Sequence, residues 1–242
     1  MSADIRIGTA GWTIPRACAD RFGGGGSHLE RYARVMKAAE INTTFYRSHL
    51  PGTWRRWAAS VPPGFRFSVK TPRLLTHDQR LVDPEAGLDR FAEEVGALGE
   101  LLGAVLVQTP PSLPFYEMLA IRLFKALAER FPVPVACEPR HVSWFTPEAD
   151  AVMAESRIAR VAADPPKIDD AAEPGGWRGF SYVRLHGSPR VYYSAYSPEI
   201  LQQQAARAVA LSAKGPVWVV LDNTAGSAAL GDALTLQPAL GF

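Results

Sequence analysis

The chain has 242 residues, 47% hydrophobic and 21% charged, with 26 basic and 24 acidic side chains and two cysteines. These fractions exclude disordered and fibrous classes, no run reaches the ~20 apolar residues of a membrane span, and a formal net charge of +2 gives little pull on nucleic acid. Cys18 and Cys137 form no paired-cysteine motif and the first residues carry no apolar leader core, so a cytoplasmic, soluble chain with one core over residues 1–242 is expected.

In chain order, eight short segments rich in β-branched and aromatic residues read as strands. They are Arg6–Thr9, Glu40–Thr43, Phe65–Lys70, Ala104–Gln108, Val135–Glu138, Arg160–Ala163, Ser181–Leu185 and Val217–Asp222. Helical spacing of apolar residues fills the intervals: His28–Ala38, Thr53–Ser60, Pro84–Leu102, Phe115–Phe131, Pro147–Ser156, Glu199–Ala213 and Ser227–Leu236. The exception is Asp164–Arg178, rich in Pro, Gly and Asp, which reads as a loop. Alternating strands and helices demand a mainly parallel sheet. An open doubly wound sheet is the alternative, but eight units in about 250 residues is the arithmetic of a (β/α)8 TIM-type barrel. Its helix set is incomplete between the sixth and seventh strands.

Residues two apart on a strand share a face. On the face expected to point inward, the second strand carries Glu40, Asn42 and Thr44, and the third Ser68 and Lys70. The fourth ends at Gln108 and the fifth at Glu138, the sixth aligns Arg160, Ala162 and Asp164, the seventh Tyr182, Arg184 and His186, and the eighth Trp218, Val220 and Asp222. Barrel enzymes place their chemistry at this C-terminal end, whereas a self-neutralising ion-pair lattice is the bland alternative. Glu138 and His186 are candidates to move protons, with Asp164 and Asp222 to orient them. Lys70, Arg140 and Arg184 are candidates to hold an anion, Lys70 doubling as an amine nucleophile if desolvated. Asn42, Tyr46, Arg47, His77, Gln108, His141, Trp144 and Asn223, in loops that follow strands, complete the candidate substrate-binding set.

No GxGxxG follows a strand, and GxxxxGK[ST], HExxH and GxSxG are absent, which disfavours nicotinamide enzymes, P-loop NTPases, zincins and α/β-hydrolases. No cofactor is expected, a divalent metal being left open. Ordered blocks along nearly the whole chain resemble the YecE-like family of unknown function: Gly8-Thr9-Ala10-Gly11-Trp12, Glu40 to Arg47, Phe67 to Lys70 with Thr76-His77, Val107 to Ser112, Glu138 to Phe145, Tyr182 to Gly187 and Asp222 to Gly226. The resemblance implies a TIM-like barrel and no established reaction. The chain departs from that pattern at Gly23–Gly26 and in a short loop after Phe145. The leading reading is an enzyme using acid/base chemistry on a small anionic substrate bearing a sugar or phosphate. The alternatives are a ligand- or partner-binding module without catalysis, and a metal-dependent nucleic-acid-processing barrel, disfavoured because Lys70 and two Arg stand among its candidate ligands. Nothing in the sequence specifies an oligomeric state.

Overall fold

In the computed structural model, which describes residues 4–240, the strands are β1 (Ile5–Ala10), β2 (Ala38–Ile41), β3 (Arg66–Lys70), β4 (Leu102–Gln108), β5 (Val135–Glu138), β6 (Ile158–Arg160), β7 (Ala162–Asp164), β8 (Gly175–Gly176), β9 (Ser181–Leu185) and β10 (Val217–Leu221). The helices are α1 (His28–Val35), α2 (Pro51–Ala59), α3 (Glu85–Gly96), α4 (Glu117–Arg130), α5 (Pro147–Glu155), α6 (Pro198–Ser212) and α7 (Ala229–Leu236). Strands β1 to β6 pair in chain order, and β10 lies between β1 and β9, every one of these pairs being parallel. Strand β6 pairs with β5 and β7 with β9. Between β6 and β7 stands only Val161, whose N–H donates to the Cys137 carbonyl at 2.8 Å. The two short strands are thus halves of one barrel strand, and the sheet closes through it into a TIM-like α/β barrel.

Local chemistry sets the element ends. Helix α1 opens with a capping box: Ser27 Oγ accepts from the Glu30 N–H, and Glu30 Oε2 accepts from the Ser27 N–H. Thr146 caps α5, with Pro147 in its first turn. The sequence extends α1 to Ala38, but the helix stops at Val35 and Ala38–Ile41 become strand. The reason is proximity: a Cβ on Gly8 would lie 2.4 Å from the Ala38 carbonyl oxygen, so small residues are spent where β1 and β2 meet. The long helix expected to reach Leu102 ends at Gly96, and Gly99, at a φ of +52°, turns the chain into β4. After β7 a single short turn, Asp169–Ala172, and the two-residue β8 stand where a sixth helix would be. Among the described residues no helix is long and apolar enough to cross a membrane.

Inside the barrel Ala38, Ala104, Leu106, Ala136, Ala159, Val161, Tyr182, Trp218 and Val220 pack together, while Val69, Val105, Val107, Val183 and Val219 belong to the layer under the helices. The sixth strand corrects the sequence reading. Register pairs Ala159 with Ala136 and Ala163 with Arg184, so Ala159, Val161 and Ala163 point inward. Arg160, Ala162 and Asp164 face outward, where Arg160 Nε meets Asp150 of α5 at 3.2 Å. Both phases of this short strand offer Ala or Val to the core, so only its polar residues suggested a direction, and they serve the outer layer.

Candidate functional site

Above the apolar filling, Arg184 near the end of β9 is fully buried and spends its guanidinium on three carboxylates. Its Nη2 lies 2.7 Å from Glu40 Oε1 and 3.0 Å from Asp222 Oδ2, its Nη1 lies 2.7 Å from Glu138 Oε2, and its Nε donates to Glu40 Oε2 at 3.1 Å. The Tyr182 hydroxyl is 2.9 Å from both Glu40 Oε2 and Ser68 Oγ. Donating to the carboxylate, it leaves a lone pair for the serine hydroxyl. Charges this deep persist only when paired and hydrogen-bonded, and here the pairing is complete.

His186, two residues beyond Arg184, sits between two acids. Its Nδ1 is 3.1 Å from Asp222 Oδ2 and its Nε2 is 2.9 Å from Glu138 Oε1. Both nitrogens can donate only in the imidazolium. Burial works against that charge, but Glu138 and Asp222 outweigh it and raise the pKa above the usual histidine value. Glu138 also accepts from Arg140 Nη2 at 2.9 Å and Gln108 Nε2 at 2.6 Å. Each of its oxygens therefore takes two donors. Although burial resists ionisation, Arg184, Arg140 and His186 hold Glu138 well below the ordinary carboxylate range. A carboxylate so occupied clamps its neighbours and is poorly placed to collect a proton.

Lys70, at the end of β3, differs from the other buried cations. Arg160 has Asp150 and Arg184 has its three acids, but among the described residues no carboxylate lies within salt-bridge distance of Lys70. Its Nζ stands 4.2 Å above the centre of the Phe45 ring. Burial, and then the charge of Arg184, bring its pKa down to about 8, against the pull of Glu40, Glu138 and Asp222. His77 lies on the same rim, its ring 4.9 Å from Phe45, and burial followed by Lys70 lowers its pKa. Three carboxylates thus meet Arg184, Arg140, the His186 imidazolium and Lys70. Lys70 is the surplus positive charge. No cluster of three or more His, Cys, Asp or Glu is placed to hold a metal ion among the described residues; the mouth carboxylates are turned onto guanidinium and imidazole instead.

A model of the family described as "Protein of unknown function DUF72" matches residues 6–242. The chain belongs to the DUF72 family. The UPF0759 protein YecE of Escherichia coli is 30% identical over 142 residues, 58% of this chain and 50% of YecE, so the chain spans about half the length of that relative. The UPF0759 protein YunF of Bacillus subtilis is 26% identical over 198 residues, 76% of this chain and 70% of YunF. Two DUF72 family crystal structures share the fold. The one from Enterococcus faecalis has a TM-score of 0.81 at 21% identity, covering 98% of this chain and 96% of its own. The one from Thermotoga maritima has a TM-score of 0.79 at 24% identity, covering 98% and 99%. The YecE-like resemblance drawn from the sequence blocks is thereby borne out.

In this DUF72 chain the candidate residues separate into three groups. Lys70, Gln108, Glu138, Arg140, Arg184, His186 and Asp222 converge at the barrel mouth, with His77 on its rim. Asn42, Tyr46 and Arg47 line a separate cleft of about 830 Å³ beside the mouth. The remaining four are engaged elsewhere. His141 Nδ1 accepts from the Ser143 N–H and caps a short turn. Trp144 is fully buried, with its indole N–H on the Leu113 carbonyl. Asp164 Oδ1 accepts from the Tyr196 hydroxyl, and Asn223 Nδ2 donates to Asp232 and to the Ser194 carbonyl. The candidate set omitted Glu40, although strand alternation placed it two residues before Asn42, and Phe45, whose apolar ring gave no sign that a lysine would rest on it.

Proposed function

We propose that this protein is an enzyme that performs acid/base chemistry on a small anionic substrate at the barrel mouth, with Lys70 as the group that meets it. The surplus charge of Lys70 carries the reading: it is the buried cation left without an acid in a ring where every other charge is matched. An entering anion would meet that charge. A pKa of about 8 keeps both the amine and the ammonium accessible near neutral pH, the condition a general acid/base needs. In this scheme the amine takes a proton from the substrate, becomes ammonium and returns the proton to a neighbouring substrate atom. Arg184, Glu138, His186 and Asp222 form the rigid frame that fixes the field around it. Polar side chains of the same mouth, Gln108 beside Glu138 and the Tyr192 hydroxyl that accepts from Arg140 at 3.2 Å, are of the kind that would hold the hydroxyls of a sugar phosphate.

Incubating the protein in heavy water with dihydroxyacetone phosphate and with fructose phosphates, and following carbon-bound protons by NMR, tests the reading. Enzyme-dependent deuterium uptake into at least one of them is expected, and Lys70→Met abolishes it. Absence of uptake from all of them, or uptake unchanged in Lys70→Met, overturns the assignment.

A further inference from the structure

A large cavity lies away from the charged ring. The cleft of about 830 Å³ is bounded by the segment after β1, the loop after β2, the outer face of α2 and the start of α7. That size suits a drug-sized organic ligand and far exceeds what a bare inorganic ion fills. Its composition is one-sided: Arg47 and Arg56 line it and not one Asp or Glu does. Arg56 reaches only Thr53 Oγ1, at 3.3 Å, and among the described residues neither arginine has an acid partner.

Part of the lining is aromatic. Trp12 meets Trp57 edge-on with ring centres 5.1 Å apart, and His49 lies 4.8 Å from Trp57. Burial and then Arg47 lower the His49 pKa, so this ring is neutral near pH 7. Asn42, also on the lining, buries an Oδ1 that has no hydrogen-bond partner, an acceptor still lacking its donor. Two acid-free guanidiniums match a phosphate, the two tryptophans of the lining suit an aromatic ring, and the free amide oxygen matches a hydroxyl or N–H.

We propose that this cleft is a second binding site, distinct from the mouth, for a ring-bearing organic phosphate the size of a nucleoside monophosphate. The site does not depend on the chemistry of Lys70.

AMP, adenosine and inorganic phosphate titrated into the full chain, read by calorimetry and tryptophan fluorescence, test it. AMP is expected to bind one to one, at least about tenfold tighter than adenosine or phosphate alone, since each half then adds its own contacts. The double variant Arg47→Ala/Arg56→Ala, altered at two exposed side chains, is expected to weaken AMP by at least about tenfold, while Lys70→Met binds AMP as the parent does. AMP no tighter than phosphate, an unchanged affinity in the double variant, or a loss confined to Lys70→Met overturns the proposal. Tighter binding of a single-stranded oligonucleotide than of AMP overturns it as well, by making the cleft part of a nucleic-acid track.

Discussion

Lys70 links the chemistry of the mouth to the stability of the fold. Its ammonium is disfavoured in the folded protein, with a pKa of about 8 against about 10.4 for an unfolded lysine. The unfolded chain therefore binds more protons between those values, and stability rises with pH across that window. Below pH 8 the penalty is fully present. Lys70→Met, which keeps the stem over Phe45 and removes the charge, is expected to stabilise the protein by ~1–3 kcal/mol near neutral pH. Urea titrations should show that gain shrinking as the pH approaches about 10. Such a gain together with loss of the proposed turnover would mark a functional group held against the preference of the fold. At this scale strand alternation reached most of the ring, because Lys70, Glu138, Arg184 and Asp222 all lie at or next to a strand end. His141, Trp144 and Asn223, chosen as loop residues that follow strands, have side chains engaged in a cap, a core contact and a loop tie. Residue type suggested chemistry there, and only packing could show that His141 Nδ1, the Trp144 indole N–H and Asn223 Nδ2 were already bonded.

Among the elements, β1 and β2 depend on the absence of a side chain. The 2.4 Å approach of a Cβ on Gly8 to the Ala38 carbonyl oxygen is a collision with backbone, which cannot swing aside. Gly8→Ala is expected to push the two strands apart and cost ~1–3 kcal/mol, measured by denaturant unfolding, whereas Gly24→Ala, in open space, serves as a near-neutral control. The same tightness explains why helix α1 read too long. Ala38 is a good helix former, and a strand claims it because the barrel interior, where it packs, has room only for a small residue at this point. The missing sixth helix was legible because Pro and Gly crowd Asp164–Arg178, a chemical bar to helix that needs no tertiary knowledge. The split of the sixth strand was not, since a change of pairing partner at Val161 leaves no mark on hydrophobic pattern.

For the whole molecule, the stretch from 165 to 180 is where a covering helix is missing. It holds few backbone hydrogen bonds, among them Trp177 N–H to the Ile158 carbonyl and Ala171 N–H to the Ile168 carbonyl. Hydrogen–deuterium exchange followed by mass spectrometry is expected to label this segment before any amide of β9 or β10, which lie inside the parallel ladder. The eight-unit arithmetic foresaw the closed architecture, since it counts units and is indifferent to where each one begins. The split strand also divides the wall into two arcs, β1 to β6 and then β7, β9 and β10, that meet at Val161 and at the β1–β10 pair. Glu40 belongs to the first arc, yet both of its partners, Tyr182 and Arg184, arrive on β9. Glu138, also of the first arc, takes two of its four donors from the second. The ring at the mouth is therefore the latch of the barrel: a chain emerging in order carries an unquenched Glu40 until β9 docks, and the last arc to arrive brings the guanidinium that locks it.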